Sequence, residues 1–201
     1  MAETLDPYTT QAENTTLSPQ AKIEGLHTIV KSARIGMLTT HCSDGQFHSR
    51  AMIPSTPFTE MQLTLVFVAN NASSKFDEIK NDSNVNVSFC DTSTTSWASY
   101  SGRAKISQDK ELIAKHFSPS MAAYFGDLKD GVHTGKVDDP RISIIEVIPD
   151  EIRYWVATKG AVGRAADTAI SMVTGKASAP GEIRTISKAE IQLTQELHMS
   201  K

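Results

Sequence analysis

Gln62–Ile79, QLTLVFVANNASSKFDEI, changes its hydrophobic period part-way along, and that change decides the fold class. Gln62–Ala69 is apolar on both alternating faces, as a strand with protein on either side must be. Asn70-Asn71-Ala72 is a small polar loop, and Ser73–Lys80 reads as a short helix. Two readings of this strand–loop–helix junction stand side by side. In one, the free N–H groups of a helix start, the hydroxyls of Ser73 and Ser74 and the Lys75 ammonium together hold a phosphate. In the other, the same residues are a plain cap, a serine followed by Asp77 and Glu78 in the first turn.

Working outward, the flanks are strand-like from Arg34 to Ile106. Before them, Ser18 as N-cap and Pro19 as first helical residue open a helix that carries Ile23, Leu26 and Val30 at helical spacing and ends near Ala33. Arg34–His41 and Phe47–Ile53 form a hairpin across Ser43-Asp44-Gly45-Gln46, because Asp-Gly supplies the positive φ of a tight turn. Alternation puts Phe47, Ser49, Ala51 and Ile53 on one face of the second strand and His48, Arg50 and Met52 on the other. Pro54 and Pro57 end it. Asn84–Asp91 and Ser96–Ile106 are further strands. Asp109–His116 and Ser118–Phe125 read as helices, capped by Gln108 or Ser107 and by Ser118, and Asp127–Asp139 is a loop. Arg141–Ile148 and Glu151–Ala157 read as a last hairpin turning at Pro149-Asp150. Six or seven strands at short spacing predict a mainly β fold with helices (α+β), a small closed barrel.

Beyond residue 158 the character changes. Ala161–Val173 reads as a helix with Gly175 as its stop, Ala179-Pro180-Gly181 as a break, and Ile183–Lys201 as a polar extension with Ile186, Ile191, Leu193 and Leu197. The expected organisation is a flexible segment over 1–18, a barrel domain over 19–158, and a C-terminal extension over 159–201 with one or two helices. The extension is expected to pack on the barrel or on a second subunit.

Composition excludes several classes. In 201 residues, 39% are hydrophobic and 21% charged, with 11 Gly and 8 Pro, which fits a globular chain and not collagen, coiled coil or wholesale disorder. Glu3, Asp6 and Glu13 are the only charges in residues 1–18, so the rest carries 20 acidic against 20 basic residues. A balanced body gives no footprint for nucleic acid. No apolar run reaches the roughly 18 residues of a membrane span, and the N-terminus reads as no signal peptide. Two cysteines, Cys42 and Cys90, then fit a cytoplasmic protein with reduced thiols.

Among side chains that carry chemistry, Arg50 sits mid-strand amid apolar residues. It reads either as a bidentate anchor for a phosphate or carboxylate or as a solvent-face arginine. Trp97, Tyr100, Tyr154 and Trp155 read as stacking partners for a flat ring or as packing. Six histidines show no metal-ligand spacing and neither cysteine has a partner nearby in sequence, so no metal is expected. Cys42 and His48 across the hairpin read as a buried cysteine beside a satisfied surface histidine rather than a catalytic pair. Asp138-Asp139-Pro140 reads as a turn.

The ordered set DGQFHSRAMI, LTLVFVAN, SSKFDEIKNDSNVNVSF, YSGRAKI, DDPRISIIEVIP and IRYW, over about residues 20–157, resembles the flavin-binding split-barrel proteins related to pyridoxamine 5'-phosphate oxidase. It is most similar to their general stress protein branch, including the fungal blue-light-inducible proteins. The resemblance implies a split β-barrel that dimerises with FMN at the subunit interface, FAD or a deazaflavin being less expected. It implies FMN contacts for Arg50, Ala51, Met52 and Ile53, for Ala69 and Asn70 at a strand end, and for Ser74 and Lys75 as the phosphate pair. Trp155 matches an aromatic near the ring, and Trp97 to Ser99 a strand reaching the flavin from the partner subunit. The oxidase's C-terminal Arg-X-His motif has no counterpart in IRYWVATKGAVGR, so pyridoxamine phosphate oxidation is not expected. Where the branch often has Trp-Phe, this chain has Val66-Phe67. The reading is therefore an FMN-binding, redox-related cytoplasmic homodimer with no catalytic residue assigned. The alternatives are a flavin oxidoreductase acting on NAD(P)H or a small molecule, and a non-catalytic barrel that has lost the cofactor.

Overall fold

A computed structural model describes residues 5–55 and 59–199. Pro57 and the side chain of Leu197 lie outside the described residues. In chain order the elements are α1 (Pro7–Ala12), α2 (Pro19–Ala33), β1 (Gly36–His41), β2 (Phe47–Met52), β3 (Leu65–Asn70), α3 (Lys75–Asn81), β4 (Asn84–Asp91) and β5 (Ser96–Ser107). Then come α4 (Lys110–His116), a 3-10 turn (Pro119–Met121), α5 (Ala122–Phe125), β6 (Ile142–Ala157), α6 (Ala161–Thr174), β7 (Gly181–Ile186) and α7 (Lys188–Met199). The strands hydrogen-bond in the order β2-β1-β4-β5-β6-β3, and β7 also pairs with β6. This is the mixed α+β split barrel that the family resemblance implies. Among the described residues no helix is long and apolar enough to cross a membrane.

Local sequence explains most boundaries. Ser18 accepts a hydrogen bond from the Ala21 N–H and Pro19 opens α2. Gly45 turns the β1–β2 hairpin at φ 87°. Gly175 ends α6 in the left-handed region. The cap of α4 is neither Gln108 nor Ser107: Asp109 accepts from the Leu112 N–H at 2.8 Å, and Ser107 accepts from the Asp109 N–H. A carboxylate one residue nearer the helix outcompetes both. Ser118 precedes the 3-10 turn and makes no side-chain cap bond.

The predicted last hairpin is corrected. Ile142–Ala157 is one strand of 16 residues, with no turn at Pro149-Asp150. Residues 142–147 of β6 pair with β3, and 152–157 pair with β7. Pro149 falls between the two ladders, so its missing N–H costs neither of them a bond. A Cβ on Gly102 would lie 2.2 Å from the Ile148 carbonyl oxygen and 2.7 Å from Pro149 Cα, so glycine is what lets the backbones approach there. The seventh strand comes instead from the C-terminal extension, as β7.

The chain forms two compact units. One contains Ile35–Val87 and Ser101–Asp150. Its core includes Val66, Ile113, Phe125, Ile142 and Ile144, with Val68, Leu112 and Phe117 packed against them. The other contains the described residues up to Arg34, Ser88–Tyr100 and those from Glu151 onward. Here the Tyr154 hydroxyl donates to the Lys22 carbonyl at 2.6 Å, and Phe89 meets Tyr100 edge-on. Lys22 reaches the Thr185 carbonyl and the Glu190 carboxylate, tying α2 to β7 and α7. The polar N-terminal segment also carries structure: Asp6 caps α1, Ala12 is buried, and the Asn14 N–H donates to the Ile183 carbonyl.

Candidate functional site

The β1–β2 register pairs Leu38 with Arg50 and Thr40 with His48. Even-numbered residues of both strands therefore share a face. Glu78 of α3 meets that face and is buried among polar groups. Arg50 Nη2 donates to Glu78 Oε2 at 2.6 Å, and Arg50 Nη1 donates to Thr40 Oγ1 at 2.5 Å. Thr40 Oγ1 also donates to Glu78 Oε2. Glu78 Oε1 lies 2.9 Å from His48 Nδ1, which is itself 3.0 Å from Cys42 Sγ.

Burial alone would raise the Glu78 pKa. The hydrogen bonds from Thr40, His48 and Arg50, with the Arg50 charge, outweigh it and hold the group at about 2. Glu78 is therefore ionised at neutral pH and holds Arg50 in place. Burial, then the Glu78 charge, pushes the Cys42 thiol up, the opposite of the shift that activates a thiolate. In space, Cys42, His48 and Glu78 offer ligand atoms within 4.8 Å of one another, a grouping that sequence spacing does not reveal.

Lys75, the first residue of α3, is half-buried. Its ammonium donates to Ser73 Oγ at 2.5 Å. Ser73 Oγ in turn donates to the Asn70 carbonyl, and Asn70 Oδ1 accepts from the Ala72 N–H, so the loop after β3 is closed on itself. Ser74 is the N-cap but its hydroxyl makes no cap bond, contrary to the plain-cap reading. Burial, then the neighbouring Arg50 charge, lowers the Lys75 pKa. Among the described residues no carboxylate lies within 4.0 Å of that ammonium. A partly desolvated cation, a second cation beside it and the exposed Ser74 hydroxyl make a donor set suited to a dianion such as a phosphate monoester.

The remaining candidates distribute as follows. Ala69 is buried near the end of β3, and Asn70, its last residue, is half-buried. On β2 Met52 is half-buried, Ala51 is exposed on the opposite face, and Ile53 is 61% exposed just past the strand. Arg50, Ser74, Lys75 and Asn70 thus belong to one unit, around one hairpin and one helix start. Trp97, Ser99 and Trp155 belong to the other unit. Trp97 is partly exposed, and Ser99 is half-buried. Trp155 is buried, stacked by Tyr8 at 5.8 Å and closed over by Gly181. Tyr100 is fully buried, and His133 is bonded to Asp130 in its own loop. Asp139 is the turn residue the sequence suggests, buried and held by Arg141 and the Gly135 N–H.

Sequence reading misses Glu78, taking it as a solvated first-turn acid. The available signal is that Arg50, His48 and Thr40 alternate onto one hairpin face with no acid on either strand to balance them.

Comparison with known proteins gives a consistent result. The family described as pyridoxamine 5'-phosphate oxidase like matches residues 21–179. Protein bli-3 of Neurospora crassa is 38% identical over 195 residues, covering 96% of this chain and 92% of that protein. General stress protein 26 of Bacillus subtilis is 30% identical over 127 residues, covering 62% of this chain and 81% of that protein. The crystal structure of general stress protein 26 from Bacillus anthracis superposes with a TM-score of 0.55 at 25% identity, covering 66% of this chain and 92% of that one.

Proposed function

The chain belongs to the pyridoxamine 5'-phosphate oxidase-like family, with general stress proteins among its relatives, and from that premise we propose that it is an FMN-binding redox protein whose flavin phosphate is held by Arg50, Ser74 and Lys75. The observation that carries the reading is the Lys75 ammonium, half-buried beside Arg50 with no carboxylate partner among the described residues. Such a cation is strained in the free protein and is relieved by an anion. Glu78 neutralises Arg50 through Oε2 and fixes its guanidinium. Asn70, through its carbonyl, holds the Ser73 hydroxyl that contacts Lys75.

The donor set fits the phosphate end of FMN and selects it over a flavin that lacks a terminal phosphate. A bound flavin supplies one- and two-electron redox chemistry, and the protein supplies its binding, orientation and exclusion from water. Ala51, Met52, Ile53 and Ala69, like Trp97, Ser99 and Trp155, are assigned flavin contacts on the family resemblance alone.

The functional unit in this reading is a homodimer. Ile35, Met37, Phe47 and Ile53 lie on or beside the outer face of the β1–β2 hairpin, with Phe47 71% exposed. An apolar group of this size on a sheet face marks an interface. The partner subunit would cover it and the ring.

The test is the visible absorption spectrum of the purified full chain, before and after FMN addition and desalting. The reading expects retained flavin bands at about one flavin per chain. Absence of flavin under both conditions would remove it.

A further inference from the structure

Beyond the flavin reading, and without resting on it, we propose that Cys42, His48 and Glu78 form a binding site for a zinc ion at the turn end of the β1–β2 hairpin. The three donors come from separate elements: the residue after β1, the second residue of β2, and the middle of α3. Cys42 Sγ and Glu78 Oε1 lie 3.0 and 2.9 Å from His48 Nδ1, and all three ligand atoms fall within 4.8 Å of one another. Zinc–ligand bonds of about 2.0–2.3 Å put tetrahedral ligand atoms roughly 3.4–3.6 Å apart. The two distances to His48 Nδ1 therefore need to open by only about half an ångström for an ion to take the place of those hydrogen bonds.

The supporting groups are already in place. Thr40 and Arg50 both donate to Glu78 Oε2 and leave Oε1 turned to His48. Outer donors of this kind fix a ligating carboxylate. The Cys42 backbone is pinned on both sides, its N–H donating to the Gln46 carbonyl and its carbonyl accepting from the Gly45 N–H. Access is open, because the His48 side chain is 53% exposed while that of Glu78 is 9% exposed. Three protein ligands and an open side leave a fourth position for water or a small anion. One sulfur, one imidazole nitrogen and one carboxylate oxygen suit zinc over magnesium or calcium, which take oxygen ligands. The Cys42 proton leaves to solvent as the thiolate takes up the ion, so the site carries no net charge beyond Arg50.

The experiment loads chelator-treated full chain with Zn²⁺, separates free metal, and measures bound zinc and affinity against a zinc-chelating dye. The site predicts one zinc per chain and a raised melting temperature with zinc present. Cys42→Ser and His48→Gln should each weaken zinc binding by more than about 100-fold, beyond the effect of losing an outer-shell partner. Cys90→Ser should leave it unchanged, since Cys90 is exposed and outside the cluster. His48 is half-exposed, so its variant keeps the fold even if that of Cys42 does not. No zinc on the wild type, or equal retention by His48→Gln, would overturn the site. So would loss in Cys90→Ser. Flavin content is measured separately and does not enter the outcome.

Discussion

Lys75→Met separates a ligand-binding lysine from a structural one, because the two roles predict opposite signs. In the free protein the Lys75 ammonium is partly desolvated and lies beside the Arg50 charge, and both lower its pKa. Its hydrogen-bond partner is the neutral Ser73 hydroxyl at 2.5 Å. Methionine keeps the stem length and apolar contacts and removes the charge, so the free protein should be as stable as wild type or more so. A bound phosphate loses one charge-assisted hydrogen bond, worth about 1.5–3 kcal/mol, or roughly ten- to 150-fold in affinity. The assays are urea unfolding of the flavin-free chain and titration of FMN by quenching of flavin fluorescence. An FMN affinity within twofold of wild type would refute the phosphate role. A free protein destabilised by more than about 1 kcal/mol would refute the argument that the ammonium is an unrelieved charge.

Two further outcomes follow from the fold. Gly102→Ala should lower stability by about 1–3 kcal/mol in urea unfolding, because its Cβ would meet the Ile148 carbonyl oxygen at 2.2 Å; unchanged stability would mean that β6 does not run straight past that point. The Asp139 carboxyl is held well below its usual range, first by hydrogen bonds from Arg141 and then, against burial, by the Gly135 and Arg141 N–H groups. Its folded pKa therefore lies below the unfolded value of about 4, so its stabilising effect is present above about pH 4 and is lost as pH falls. Asp139→Asn should cost most at pH 7 and progressively less toward pH 3, and a cost independent of pH would contradict this.

The sequence makes most of the barrel legible because its signals are local. Ser18-Pro19, Asp44-Gly45 and Gly175 each fix a boundary through backbone chemistry that acts within a few residues. The alternation of Phe47–Ile53 correctly separates Arg50 from Ala51. Pro149-Asp150 misleads because a proline's effect depends on whether a partner strand needs its N–H. That partner is set by β3 and β7, which lie far away in sequence. The strand β7 is missed for the same reason: Gly181–Ile186 is polar, and its pairing with β6 is a tertiary fact. At the site, Arg50 and Lys75 are visible as cations in unusual places. Glu78 is not, because its burial arises only when α3 lays it on the hairpin face.

Recognition of a phosphate by Arg50, Ser74 and Lys75 is measured by comparing FMN with riboflavin on the wild-type chain. The two flavins share a ring and differ at the phosphate. With two charged anchors worth about 1.5–3 kcal/mol each, FMN should bind at least about 100-fold more tightly than riboflavin. Equal dissociation constants would contradict the account.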